Sequence, residues 1–304
     1  MPNIVFMGTP QFAVPILKKI VEKYKIYSVF TQPPSKSNRG QMLTKSPIHT
    51  CAEELNLEIK TPKKIDEEFK YLKEVNLDLV IVVAYGQLIP KKILDLSKKG
   101  FLNVHASLLP KWRGAAPIQR SILNNEKMTG ISFMKINEKL DSGPVCNKYS
   151  IDILDQDNAQ TLSEKLSNLT ANKIFENMRK ILNDQATFED QDEKVATYAK
   201  KINKHEGKIN WKEDAHLILA KINGLYPQPG GWFNYENIRY KILKAIFSEN
   251  EKTPGEILDE KLTISCGSKS IKVIKIQREG KKPQSVEDFL LGSKLKKGVI
   301  LSND

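Results

Sequence analysis

Three polar residues stand where chemistry is possible. Asn103 and His105 lie two apart at the end of a short apolar run, Phe101-Leu102-Asn103-Val104, and Asp141 follows in Asp141-Ser142-Gly143. A strand has a side-chain period of two, so Asn103 and His105 project from one face. Asn103 is a neutral amide donor, suited to a developing oxyanion. Histidine is the side chain best suited to moving a proton near neutral pH, so His105 fits proton handling or a second oxyanion contact. Asp141 could orient the imidazole or accept a proton through water, and the residues alone leave these routes open. A lone His is more often structural, and a lone Asp is more often a solvated turn residue. No Ser or Cys stands beside a matched base, so no covalent intermediate is implied. Ser107 reads as a turn former rather than a nucleophile. His49, His205 and His216 show no partner pattern and read as structural.

A polar pair at the end of a buried strand is where an open α/β sheet builds its site. The elements expected to position the pair follow from the apolar pattern. Ile4 to Met7 is an apolar run ending in Gly8-Thr9-Pro10, followed by helical spacing from Phe12 to about Tyr24 and a strand at Ile26–Phe30. That order is a βαβ opening. Gly8-Thr9-Pro10 is neither a dinucleotide fingerprint nor a P-loop. It reads as a tight turn, either plain or placing N–H groups near a ligand. Leu79–Ala84 is a continuous apolar run, as for a strand buried on both faces of a parallel sheet. Helices are expected over Pro47–Leu55, Ala115–Asn124 and Leu162–Leu182. A hairpin is expected from Ile131–Ile136 and Val145–Ile151, with Asp141-Ser142-Gly143 in its connection. Gln32 to Pro47 reads as a long exposed loop.

The pattern changes after Asn183. A polar stretch and a lysine-rich segment precede a second unit with a helix at Ala215–Gly224. Short strands are expected at Tyr240–Phe247, Gly255–Leu258, Leu262–Cys266 and Ile271–Gln277. Short strands separated by turns suggest a small β-barrel. The expected class is α/β, a Rossmann-like, mostly parallel sheet domain over residues 1–185. A basic linker would occupy residues 186–207, and a small barrel domain residues 208–304.

The 304 residues suffice for two domains, and the net charge of +12 invites a polyanionic partner, most naturally nucleic acid. A general lysine bias explains the charge about as well. Its distribution favours the partner. Thr31 to Ala52 holds Lys36, Arg39 and Lys45 without an acid, and Lys194 to Lys208 holds five lysines against Glu206 alone. The three cysteines are scattered, which fits a reducing cytosol and argues against a disulfide framework or a cysteine metal site. No apolar run has membrane-spanning length, and the opening residues lack a signal-peptide pattern. A cytoplasmic, metal-free monomer is expected.

The segment Asn103-Val104-His105-Ala106-Ser107-Leu108-Leu109-Pro110 with the later Asp141-Ser142-Gly143 resembles the formyltransferases that use 10-formyltetrahydrofolate. Lys111-Trp112-Arg113-Gly114-Ala115-Ala116-Pro117-Ile118-Gln119-Arg120 is similar to the members that act on methionyl-tRNA. The likeness runs from Ile4–Pro10 through Val82–Gly86 to Tyr198–Ile202, and is weakest in the last third. It implies transfer of the formyl group, through a tetrahedral intermediate, to the amino group of methionyl initiator tRNA, with Asn103, His105 and Asp141 as catalytic residues. It implies a folate pocket walled by Tyr85, Gly86, Gln87, Leu88, Ile89 and Pro90 and by Ser107, Leu108, Leu109 and Pro110. For tRNA it implies contacts by Arg39 with Lys36 and Lys45, by Lys111 and Arg113 near the triad, and by Lys200, Lys201, Lys204 and Lys208 with an OB-like barrel. Many relatives have Gly where this chain has Ala106, and a methyl there excludes conformations reserved for Gly. The residues following Arg39-Gly40 also differ from the family pattern. A small amine acceptor would share the triad, although it would not need the basic linker. An RNA-binding protein on a decayed enzyme scaffold and a nucleotide-binding Rossmann protein are further readings. The intact triad and the missing glycine fingerprint disfavour them.

Overall fold

The computed structural model describes residues 1–37 and 42–302, which form two compact units. The first takes Met1–Gly114, Thr129–Ile151 and Ser163–Ala199. The second takes Ala115–Met128, Asp152–Leu162 and the chain from Lys200 onward.

In the first unit, β1 (Ile4–Gly8) leads through α1 (Val14–Val21) to β2 (Ile26–Phe30). Val14, Ile16, Leu17 and Ile20 form the buried stripe of α1, the i, i+3, i+4 pattern of a helix on a sheet. The expected loop that follows carries a short hairpin, β3 (Ser35–Ser37) with β4 (Met42–Thr44). Three-residue strands are too short to show a period of two. The chain continues through α2 (Pro47–Glu54), β5 (Ile59–Lys60) and α3 (Phe69–Val75) to β6 (Leu79–Val83). Beyond α4 (Lys91–Leu94) comes β7 (Phe101–His105), then the two-residue β8 (Arg113–Gly114). After α5 (Pro117–Leu123) come β9 (Met128–Lys135), β10 (Val145–Asp152), the long α6 (Ala159–Leu182) and β11 (Tyr198–Ala199).

The main sheet has the order β10-β9-β7-β6-β1-β2-β5. β1 and β6 are buried at every position, which is why their residues are apolar without alternation. β1 pairs parallel with β2 on one side and with β6 on the other. β7 pairs parallel with β6 and antiparallel with β9. The chain leaves β1 toward β2 and β5, then returns to β6 on the far side. The carboxyl ends of β1 and β6 therefore flank a topological switch point, where such sheets bind ligands. Thr9 Oγ1 donates to the Tyr85 carbonyl at 2.8 Å across that point.

In the second unit, α5 and α7 (Ala215–Gly224) pack together. An antiparallel sheet of order β12-β13-β15-β14 follows, built from β12 (Gly231–Tyr235), β13 (Ile238–Ser248), β14 (Thr263–Ser265) and β15 (Ser270–Arg278). β16 (Gln284–Ser285) joins β15, and α8 (Val286–Leu290) follows. Tyr240 and Ile242 face the core two apart, but the next buried residue of β13 is Ala245. The register shifts around Lys244, and a bulge of this kind adds the residue that changes the parity. The expected strand at Gly255–Leu258 takes part only through single bridges, Ile257 to Ile264 and Glu256 to Ile300.

Arg120 of α5 grips Glu206, at 2.6 Å from Nη1 to Oε2, and the Asn203 N–H donates to Glu206 at 2.7 Å. The guanidinium holds the Glu206 carboxyl below the usual carboxylate range, and the Asn203 N–H acts in the same direction. A depressed folded-state value contributes stability above the unfolded value of about 4.3 and loses it as pH falls through the folded one. Thermal melts of wild type and Glu206→Gln should therefore differ at pH 7, with the gap starting to close as pH falls below about 4.3. A gap that stays constant with pH would refute this coupling.

Candidate active site

The parallel pairing of β7 with β6 and its antiparallel pairing with β9 fix the strand that carries Asn103 and His105. Asn103 lies opposite Met134 and His105 opposite Ser132. Asn103 is half-buried, and among the described hydrogen bonds none engages its side-chain amide. His105 is buried, with a partner near each ring nitrogen. Its Nε2 lies 2.8 Å from the Trp112 carbonyl, and its Nδ1 lies 3.7 Å from Asp141 Oδ2. A carbonyl only accepts, so Nε2 carries the hydrogen and donates to it. The neutral ring then has its lone pair on Nδ1, facing the carboxylate. That distance is too long for a direct hydrogen bond. A proton or a donor group is what the space beside Nδ1 suits.

Asp141 is held in turn. Its Oδ2 accepts from the Gly114 N–H at 2.8 Å, and its carbonyl accepts from Gln191 Nε2 at 2.9 Å. Its backbone is left-handed, with φ of 47°, as is that of Trp112, with φ of 62°. Gly114 has φ of 113°, and a Cβ there would sit 2.9 Å from the Ala199 carbonyl oxygen, so this position needs glycine. Ala106 is not among the left-handed residues, so its methyl meets no such conflict.

The turn after His105 is tied down at both ends. Ser107 Oγ donates to the Lys111 carbonyl at 2.5 Å. Ser132 Oγ accepts from the Leu109 N–H at 3.0 Å and donates to the Ser107 carbonyl at 2.7 Å, all within the buried core. Ser132 escaped the sequence reading, although a small polar residue inside Ile131-Ser132-Phe133-Met134 was a usable signal. Ser132→Ala should cost about 1–3 kcal/mol, because two buried backbone groups lose their partner. Urea unfolding should show an earlier midpoint, and an unchanged midpoint would show that the loop repairs itself.

The expected folate wall divides by burial. Leu88 is 86% exposed beside the switch point and offers apolar surface. Gly86 has φ of 86°, a turn that suits glycine. Pro90 caps α4, while Leu108 and Pro110 are half-buried. The other side chains are occupied. Tyr85 and Ile89 are core residues, and burial pushes the Tyr85 phenol well above its ordinary range. Gln87 donates to the Pro62 carbonyl and accepts from the Ile65 N–H. Leu109 packs with Met134 and Val145, and the Ser107 hydroxyl is used within its own turn. Apolar residues next to a site serve the sheet as often as the ligand, and sequence does not separate the two.

Family models match both parts of the chain, formyl transferase over residues 2–178 and formyl transferase, C-terminal domain, over residues 201–294. The methionyl-tRNA formyltransferase of Pelagibacter ubique is 59% identical over 306 residues, covering 99% of each chain. The chain belongs to the methionyl-tRNA formyltransferase family. That of Rickettsia canadensis is 39% identical, covering 98% of this chain and 99% of its own. Among solved structures, an N-formyltransferase from Helicobacter canadensis, in complex with folinic acid and dTDP-3-aminofucose, shares the fold. Its TM-score is 0.69 at 21% identity, covering 90% of this chain and 99% of that one.

In a formyltransferase of this family the basic residues are of interest as acceptor contacts, and the structure separates them. Arg113 is buried, unlike the lysines expected beside it. Its guanidinium is buried, makes paired 2.9 Å bonds to Glu193, and donates from Nε to Gln191 at 3.0 Å. A group so engaged is not available to a phosphate. Lys45 is exposed but paired with Glu53 at 2.6 Å, a surface pair that a phosphate would have to displace. Lys36 lies on β3, and Arg39 lies outside the described residues. Lys111, Lys200, Lys201 and Lys204 are exposed, and Lys208 is half-buried. The second unit also has a cleft of about 510 Å³ lined by Lys204, Trp232, Arg239, Lys241 and Arg278. The Arg239 guanidinium lies 4.3 Å from the Trp232 ring centroid. Burial, with Arg239 nearby, holds Lys241 below the usual lysine range. Among the described residues no cluster of metal-ligating side chains occurs, and no helix is long and apolar enough to cross a membrane.

Proposed function

We propose that this chain transfers the formyl group of 10-formyltetrahydrofolate to the amino group of methionyl initiator tRNA, yielding the N-formylated aminoacyl-tRNA of translation initiation. The observation that carries this reading is the 59% identity to a methionyl-tRNA formyltransferase along 99% of both chains. The site geometry supports it through chemistry. The attacking amine must lose a proton, the carbonyl oxygen becomes an oxyanion, and the leaving folate nitrogen needs a proton.

The Asn103 amide, unengaged among the described hydrogen bonds, donates to the oxyanion of the tetrahedral intermediate. His105 is fixed in one tautomer by the Trp112 carbonyl, so Nδ1 is the nitrogen that takes and returns the proton. Asp141 lies beside Nδ1 and stabilises the imidazolium as it forms. The folate lies against the carboxyl ends of β1 and β6, with Leu88, Gly86 and the Leu108–Pro110 turn as its wall. Exposed Lys111, the lysines from Lys200 to Lys208 and the Trp232–Arg239 cleft supply phosphate contacts. The chain works as a monomer in the cytoplasm, where its tRNA substrate is.

The direct experiment is a transfer assay with 10-formyltetrahydrofolate and methionyl initiator tRNA, with free amino sugars as competing acceptors. Transfer to the tRNA alone supports the reading. Transfer to a small amine, with no shift of tRNA mobility on a gel, replaces it.

A further inference from the structure

A stretch of chain remote in sequence closes over the site. Gln191 Nε2 donates to the Asp141 carbonyl at 2.9 Å and to the Gly143 carbonyl at 2.7 Å, while its Oε1 accepts from Arg113 Nε at 3.0 Å. Arg113 is anchored by its two hydrogen bonds to Glu193. Six residues further on, Thr197 grips the other side of the histidine. Its Oγ1 accepts from the Trp112 N–H at 2.9 Å, its carbonyl accepts from the Arg113 N–H at 2.8 Å, and its N–H donates to the Pro110 carbonyl at 3.2 Å. The two residues flanking the imidazole, Trp112 and Asp141, are both left-handed without being glycine. Such conformations persist only where the surroundings over-determine them. On its far side the Asp141–Gly143 turn is pressed against β9, since a Cβ on Gly143 would fall 1.8 Å from the Lys135 carbonyl oxygen.

We infer that Gln191 is a positioning residue. Its amide clamps the Asp141–Gly143 turn against β9, so that the Asp141 carboxylate faces His105 Nδ1, with Arg113 and Glu193 fixing the amide in turn. This inference rests on the reading of His105 and Asp141 as the reacting pair. In this role Gln191 acts through Asp141, which its amide holds in place. A primary amide is required, because only it donates to two carbonyls and accepts from Arg113 at once.

The test is a double-mutant cycle in the transfer assay. Gln191→Leu removes all three bonds and leaves an apolar side chain. Gln191→Glu keeps an acceptor for Arg113 but, when ionised, donates nothing. Each should lower kcat by about 10- to 100-fold, the scale of a misplaced reacting group, with KM for both substrates within about twofold. In an Asp141→Asn background, Gln191→Leu should cost less than about twofold more, because the residue it positions has already lost its charge. Losses that multiply in both backgrounds, an effect on KM alone, or an unchanged kcat would each overturn the assignment. Amide hydrogen exchange of residues 141–143 supplies a readout independent of turnover. It should quicken in Gln191→Leu, and unchanged exchange would also overturn the clamp. If the wild type transfers no formyl group, the functional reading falls while the exchange result still decides the clamp.

Discussion

His105→Ala is expected to lower kcat for formyl transfer to methionyl initiator tRNA by on the order of 10³-fold, within the usual range for a positioned proton-transfer group. The ring sits between two fixed partners, the Trp112 carbonyl at 2.8 Å and Asp141 Oδ2 at 3.7 Å, so its tautomer and orientation are set before any substrate arrives. Alanine removes the Nδ1 base and leaves Asp141 facing an empty space. The contacts proposed for the lysines and for the Leu88 wall are untouched, so KM should hardly move while kcat falls. Steady-state kinetics on both substrates reads this directly. A kcat within threefold of wild type would move the proton transfer to Asp141 or water.

Asn103→Ala should lower kcat by about 10²–10³-fold, the usual cost of losing one oxyanion donor. The amide stands on β7, one of the interior strands of the sheet, and its neighbours Met134 and Val82 are set by register on both sides. Little reorganisation is therefore needed when charge develops on the oxygen. Asn103→Asp should be worse than Asn103→Ala, because a carboxylate both lacks the donor and repels the oxyanion. Its size is nearly that of Asn, so packing cannot explain the order. An Asp variant as active as the Ala variant, or a loss seen only in KM, would remove Asn103 from the oxyanion role.

How much of this was legible depends on whether a feature is local. The buried parallel strands, the helix stripe of α1 and the shared face of Asn103 and His105 follow from runs of neighbouring residues. Hydrophobic burial and side-chain periodicity act along the chain, so they are written in it. The short β3–β4 hairpin and the bulged parity of β13 left no such pattern. For the candidate site, the residue types and their order were readable, and their partners were not. Arg113 was expected as a tRNA contact from the resemblance and its place near the triad. The structure instead occupies its guanidinium with Glu193 and Gln191, roughly eighty residues later. The folate wall was expected from two whole segments, yet within the first Gln87 turns to Pro62 and Ile65 while Leu88, the next residue, faces solvent.

By itself the sequence determined the class of fold, the strand that carries the amide and the imidazole, and the kind of chemistry they suit. Only the tertiary structure decided which nitrogen of His105 the Trp112 carbonyl occupies, what holds Asp141 in place, and that the segment around Gln191 and Thr197 packs on the candidate site. The reason is physical. Hydrogen-bond partners distant in sequence are chosen by where the chain crosses itself, and short, strained turns such as those at Trp112 and Asp141 exist only because those distant partners hold them.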